Sequence, residues 1–168
     1  MIKSKDKATT VNKSGGKYFI IAVVAAIIIG VVIFKGFNGS DTQSASTSGD
    51  LVISKSEISG AAKFYPYKIG DTSMEVLALK ASDGTIRTAF NTCQVCYNSG
   101  KGYYKQQGNY LVCQNCGNRF SADRVEKIKG GCNPVPILAE NKIDNGDTII
   151  IPETFLESQK NLFSNWKK

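Results

Sequence analysis

Two cysteine pairs constrain this chain more than any other feature: Cys93-x-x-Cys96 and Cys113-x-x-Cys116, separated by the 16 residues 97–112. A Cys-x-x-Cys turn points two sulfurs at one atom, so each pair supplies half of a tetrahedron. Any fold must bring the two halves together. The segment between them is built for that, because Tyr103-Tyr104-Lys105 and Tyr110-Leu111-Val112 flank a turn at Gly108-Asn109 and read as a hairpin that doubles back. Gly117, after the second pair, lets the backbone turn so that its amides face sulfur. The first pair is followed by Tyr97 and lacks that glycine, so the halves are not equivalent.

The chain has no histidine. That removes Ser-His-Asp and Cys-His catalysis, His-ligated haem and mixed Cys/His zinc sites. An ion here is held by thiolate, carboxylate or backbone oxygen. Four thiolates at Cys93, Cys96, Cys113 and Cys116 suit zinc, iron, iron–sulfur clusters or copper(I), and spacing does not choose among them. Disulfides or dithiol redox chemistry are the competing use of the same residues. The fifth cysteine lies in Gly130-Gly131-Cys132-Asn133-Pro134-Val135-Pro136, which glycine and proline mark as an irregular loop. Cys132 reads as an alternative ligand, a ligand to a second ion, a reactive thiol or an inert buried one. Asp71, Glu75 and Asp123 form no paired carboxylate motif, and a four-thiolate site lacks the open position a metal hydrolase needs. The reading is a metal-binding or electron-transfer protein rather than an enzyme.

Residues 1–17 are polar and lysine-rich. Tyr18 to Phe34 then run without a charge. As a helix this stretch is about 25 Å long, at the short end of a bilayer span, with Lys35 and Phe37 able to extend it. It has no polar face, as a buried helix of a soluble domain would, and it exceeds a typical cleaved signal core. Residues 18–35 are therefore expected to form a single membrane anchor. Five lysines precede it, which keeps the N-terminus cytoplasmic and places the remainder outside. Residues 36–50 are a Ser/Thr/Gly linker, and residues 51–168 the extracytoplasmic domain. Of the formal charge of +7, six lysines against one aspartate up to Lys35 supply +5, leaving +2 for the rest. The domain thus carries no electrostatic footprint for nucleic acid.

That domain reads as α+β, mostly β. Lys63 to Ile69 is a strand that Pro66 assigns to an edge. Met74, Val76, Leu77 and Leu79 mark a second, Ser82-Asp83-Gly84 a hairpin turn, and Thr85 to Phe90 a third. Thr148 to Ile151 is a short late strand. After Pro152, Phe155, Leu156, Gln159, Leu162, Phe163 and Trp166 recur at helical spacing and predict one C-terminal helix packed on the sheet.

Taken in order, Cys93-x-x-Cys96-Tyr97, Lys101-Gly102-Tyr103-Tyr104, Leu111-Val112-Cys113-Gln114-Asn115-Cys116-Gly117-Asn118-Arg119-Phe120 and Gly130-Gly131-Cys132-Asn133-Pro134 resemble the FtrD-like family of membrane iron–sulfur proteins, found with bacterial iron-uptake systems. The resemblance covers about residues 51–151. It implies an iron–sulfur or related redox centre that handles electrons during iron transport, with Cys93, Cys96, Cys113, Cys116 and Cys132 as the matching positions. Many relatives carry a multi-span membrane region ahead of this domain. This chain has one candidate span, so the transport or membrane electron-relay role of that region is either absent here or supplied by a membrane-bound transport or redox partner.

Overall fold

The computed structural model describes residues 49–168. The anchor expected at 18–35 lies outside them, as does nearly all of the linker. Among the described residues, no helix is long and apolar enough to cross a membrane.

The centre of the domain is a four-stranded antiparallel sheet in the order β2-β3-β4-β8. Its strands are β2 (Lys63–Ile69), β3 (Thr72–Lys80), β4 (Ile86–Cys93) and β8 (Pro134–Pro136). Successive side chains on a strand point to opposite faces, and here both faces are buried. Tyr65, Tyr67, Met74, Val76, Ala78 and Phe90 face one core. Leu77, Leu79, Ala89 and Cys93 face another. This is why β3 reads as an almost unbroken apolar run rather than as an alternation. The first core is closed by the sheet of β1 (Leu51–Ser54), β10 (Thr148–Ile151) and β9 (Ile143–Asn145), in the order β1-β10-β9. The second is closed by the sheet of β5 (Tyr104–Gln107), β6 (Tyr110–Cys113) and β7 (Arg119–Ser121).

The domain is mostly β with one helix near the C-terminus, α1 (Glu153–Ser158). The expected continuous helix is broken. At Gln159 the backbone leaves helical geometry (φ −100°, ψ 1°), and a 3-10 turn follows over Lys160–Phe163. Packing explains the break. Phe155 and Phe163 both pack on Phe90, the first tilted and the second edge-on, with ring centroids 5.7 and 5.8 Å away. Eight residues of unbroken helix would set those rings about 12 Å apart along its axis, too far to share one neighbour. A second correction concerns Pro134-Val135-Pro136. This segment was expected to be loop, and it forms β8. The missing N–H of proline is tolerated there because β8 is an edge strand, as is β2 with Pro66.

An ion pair closes the far side of β4. Lys142 Nζ lies 2.5 Å from Glu126 Oε1 and 2.9 Å from Thr88 Oγ1. Glu126 has a left-handed backbone (φ 65°), and its carboxylate also accepts the Thr88 hydroxyl at 2.9 Å. A non-glycine residue at positive φ needs such partners to hold it.

Phe163 is almost completely buried against Phe90 and Trp166. Phe163→Ala is expected to destabilise the domain by about 3–5 kcal/mol, read as a lower midpoint in denaturant unfolding. A loss below about 1 kcal/mol would show that the C-terminal segment does not close the first core.

Candidate metal centre

Strand ends place two of the cysteines. Cys93 is the last residue of β4 and Cys113 the last of β6, and both are buried. Pairing between β4 and β8 shifts register between Phe90 and Cys93. Such a bulge bends a strand and re-aims the residue after it. The hairpin β5–β6 returns the chain so that Cys113 lies opposite Tyr104. Two backbone bonds then dock the hairpin's base: Cys93 N–H donates to Gly102 O at 2.7 Å, and Gln114 N–H to Tyr103 O at 2.8 Å.

Each Cys-x-x-Cys turn bends in its own way. In the first, Cys96 N–H donates to Cys93 Sγ at 3.2 Å. In the second, Gly117 N–H donates to Cys113 O at 2.9 Å, and Gly117 takes the left-handed conformation (φ 73°) that glycine allows without strain. The first turn has a glycine requirement of another kind at Gly102, where a Cβ would collide with the backbone of Cys96 and Tyr97.

Cys132 arrives on the loop before β8. Gln94, inside the first Cys-x-x-Cys, clamps both shoulders of that loop. Its Oε1 accepts Gly130 N–H at 2.8 Å, its Nε2 donates to Pro134 O at 3.1 Å, and its N–H donates to Asn133 O at 3.0 Å. Asn118 Nδ2 adds a bond to Cys132 O at 2.7 Å. The loop thereby inserts its sulfur among the others. Cys132 Sγ is 3.4 Å from Cys93 Sγ, 3.8 Å from Cys96 Sγ and 2.8 Å from Cys116 Sγ. The sulfurs of Cys93, Cys96, Cys113 and Cys132 all lie within 4.8 Å of one another. None of the five cysteines is joined to another in a disulfide. Asp71, Glu75 and Asp123 are not part of the group. Asp123 instead accepts Ser82 N–H at 2.7 Å, and Glu75 accepts the Asn91 amide at 2.6 Å.

The sulfurs differ in their surroundings. Burial works against ionising Cys93, but the Tyr104 hydroxyl and the N–H groups of Cys96 and Val95 outweigh it and hold the thiol below its usual range. Burial pushes Cys113 and Cys132 up, and Cys96 up to about 11. Cys116, the exposed member, is pulled down to about 7 by its contact with Cys132 and by the Asn118 N–H. Tyr104 is buried to 1 % exposure, with its hydroxyl 4.0 Å from Cys132 Sγ. Burial, then the neighbouring Cys93, keeps that hydroxyl protonated and able to donate.

The sequence therefore names the five sulfurs but misses Gln94, Asn118 and Tyr104. The only trace of Gln94 was its place inside the first turn. Tyr104 and Asn118 entered only as members of the family motifs, and Tyr104 as a strand residue, with no role assigned at the sulfurs.

Gly102→Ala is expected to displace the first turn and abolish stoichiometric metal loading, measured by metal analysis of the purified chain. Full loading of that variant would contradict the close packing at Gly102. Tyr104→Phe removes one donor and keeps the ring, so it is expected to weaken metal retention about tenfold in chelator competition. Unchanged retention would show that the hydroxyl does not serve the sulfurs.

No curated protein and no solved structure matches the chain. A family model does match it, over residues 43–163, described as membrane iron-sulfur containing protein FtrD-like. That span takes in all five cysteines and more than half of the chain, so the protein belongs to the FtrD-like family of membrane iron–sulfur containing proteins.

Proposed function

We propose that this protein holds iron in an all-thiolate centre and passes single electrons to or from a metal-uptake partner in the membrane. The observation that carries this reading is the convergence of Cys93, Cys96, Cys113 and Cys132 to within 4.8 Å of one another. The donor set fits the group named in the family description, since iron–sulfur centres are held by cysteine thiolates. The compactness favours one iron over a multi-iron cluster. Sulfurs on one tetrahedral ion are about 3.8 Å apart for metal–sulfur bonds of about 2.3 Å, whereas a cluster sets its thiolates on different irons and its own body separates them. The separations of 3.4 and 3.8 Å from Cys132 to Cys93 and Cys96 are of the single-ion kind.

Thiolate-bound iron supplies one-electron chemistry. The chain's own residues would set its conditions. Cys93 and Cys113, buried at strand ends, exclude water from the inner side. Tyr104 and the backbone N–H groups aimed at Cys93 offset negative charge on sulfur, which favours the reduced form. Cys116, on the exposed side, is the face a redox partner would approach. In this reading residues 18–35 anchor the chain, the N-terminus is cytoplasmic and residues 51–168 work outside. The tether lets the domain reach a membrane-bound partner.

The test is iron, zinc and acid-labile sulfide analysis of the full chain purified from its native host without oxygen, with a visible spectrum. The expected result is one iron per chain, no labile sulfide and a thiolate-to-iron charge-transfer band that bleaches on reduction. Iron with stoichiometric sulfide would keep electron transfer and overturn the single-ion form. Zinc alone would overturn the proposal.

A further inference from the structure

Five sulfurs converge where a tetrahedral ion takes four. Cys116 Sγ and Cys132 Sγ stand 2.8 Å apart. That is well short of the edge of about 3.8 Å between two corners of a metal–thiolate tetrahedron, and well beyond a disulfide bond of about 2.05 Å. Two sulfurs so close cannot both be corners of one tetrahedron where they stand, and Cys116 is the one of the five outside the group whose sulfurs lie within 4.8 Å of one another. We infer that Cys116 and Cys132 are an exchange pair at one ligand position, and that Cys116 is the transfer ligand through which a thiophilic metal ion enters and leaves the centre. This rests on the reading of the cysteine group as a metal site. It adds metal hand-over to electron transfer.

Three observations separate the partners. The first is exposure. Cys132 is half-buried, as is Cys96, beside the buried Cys93 and Cys113, whereas Cys116 is exposed. The second is anchoring. The Cys132 loop is fixed by three bonds from Gln94 and one from Asn118. Cys116 is followed by Gly117 at φ 73°, around which a Cβ would meet nothing within 4 Å. The third is reach. An exposed side chain needs only a rotation about its own χ1 to carry its sulfur between solvent and the site. Loading then proceeds by ligand substitution. Cys116 sulfur binds the ion first, giving its proton to the carrier thiolate that it displaces, and Cys132 sulfur binds the ion as the Cys116 bond breaks. The proton lost by the Cys132 thiol is taken up by the departing Cys116 thiolate. No electron moves, and release runs the same steps backwards. The carrier on the far side is a thiolate-bearing molecule, because only a soft donor competes with such a site.

The experiment uses the full chain and the variants Cys116→Ser, Cys116→Ala and Cys132→Ser, each loaded with Co(II) alone. Metal per chain, the thiolate-to-cobalt charge-transfer intensity and the rate of cobalt loss to excess glutathione are measured. Both Cys116 variants are expected to keep one cobalt with a four-thiolate spectrum and to lose it about tenfold more slowly than the parent. Cys132→Ser is expected to bind one cobalt through Cys116 and to lose it faster. A three-thiolate spectrum or lost stoichiometry in both Cys116 variants would make Cys116 a resident ligand and overturn the inference. An unchanged loss rate in those variants would overturn it as well. If the parent chain bound no cobalt, the metal-site reading itself would fall, which is a different result from either.

Discussion

The buried amide of Asn91 is the joint on which the metal centre depends. Its residue is only 1 % exposed, yet it bonds in three directions. Nδ2 donates to Glu75 on β3 at 2.6 Å, Oδ1 accepts the Tyr104 N–H on β5 at 2.7 Å, and the backbone carbonyl accepts the Trp166 indole N–H at 2.7 Å. A buried amide left unpaired is costly, so these partners come as a set. The set locks the hairpin carrying Cys113 to the strand carrying Cys93, two residues beyond Asn91. The C-terminal segment is drawn into the same joint. Thr92 Oγ1 donates to Leu162 O at 3.1 Å, and Lys167 N–H donates to Gly100 O at 2.9 Å beside the first Cys-x-x-Cys. The last residues of the chain therefore brace a loop that lies far away in sequence.

A sheet buried on both faces explains why a domain of this size can carry such a site. One face of β3 and β4 builds an ordinary apolar core with α1 and the sheet β1-β10-β9. The other face is free to pack against cysteines and their hairpin. Thiols are small apolar groups until they ionise or bind metal, so Cys93 and Cys113 sit in that core among Leu77, Leu79, Leu111 and Phe120. The sulfur group thus lies at the margin of a core that the other half of the domain supports.

Much of this was legible in the sequence, and the gaps have physical causes. Strands β2, β3, β4, β5, β6 and β10 followed from apolar pattern and turn residues, as did the hairpin that pairs the two Cys-x-x-Cys turns. Strands β7, β8 and β9 have only three residues each, too few for a period to register, and β1 pairs with β10 at the far end of the domain, so no local turn marks it. The break at Gln159 depends on Phe155 and Phe163 sharing Phe90, a contact across 65 and 73 positions that no local pattern encodes. Cys132 is the clearest case. Spacing favoured Cys116 as the fourth sulfur, because Cys113 and Cys116 form a recognisable pair. The Cys132 loop is placed by Gln94, 38 residues earlier, and a side-chain clamp of that kind leaves no periodic trace.

The prolines of the central sheet have a consequence for how copies of this domain meet. An open sheet edge offers unpaired N–H and C=O groups to any passing strand. Here β8 forms one edge, and of its three residues Pro134 and Pro136 have no N–H, so Val135 alone could donate. On the opposite edge, Pro66 interrupts β2 at its middle residue. Neither edge can extend a continuous ladder into a neighbour. Molecules crowded side by side would be kept from zipping together through their strands, and β8, which follows the Cys132 loop directly, would not be pulled out of register by such an encounter.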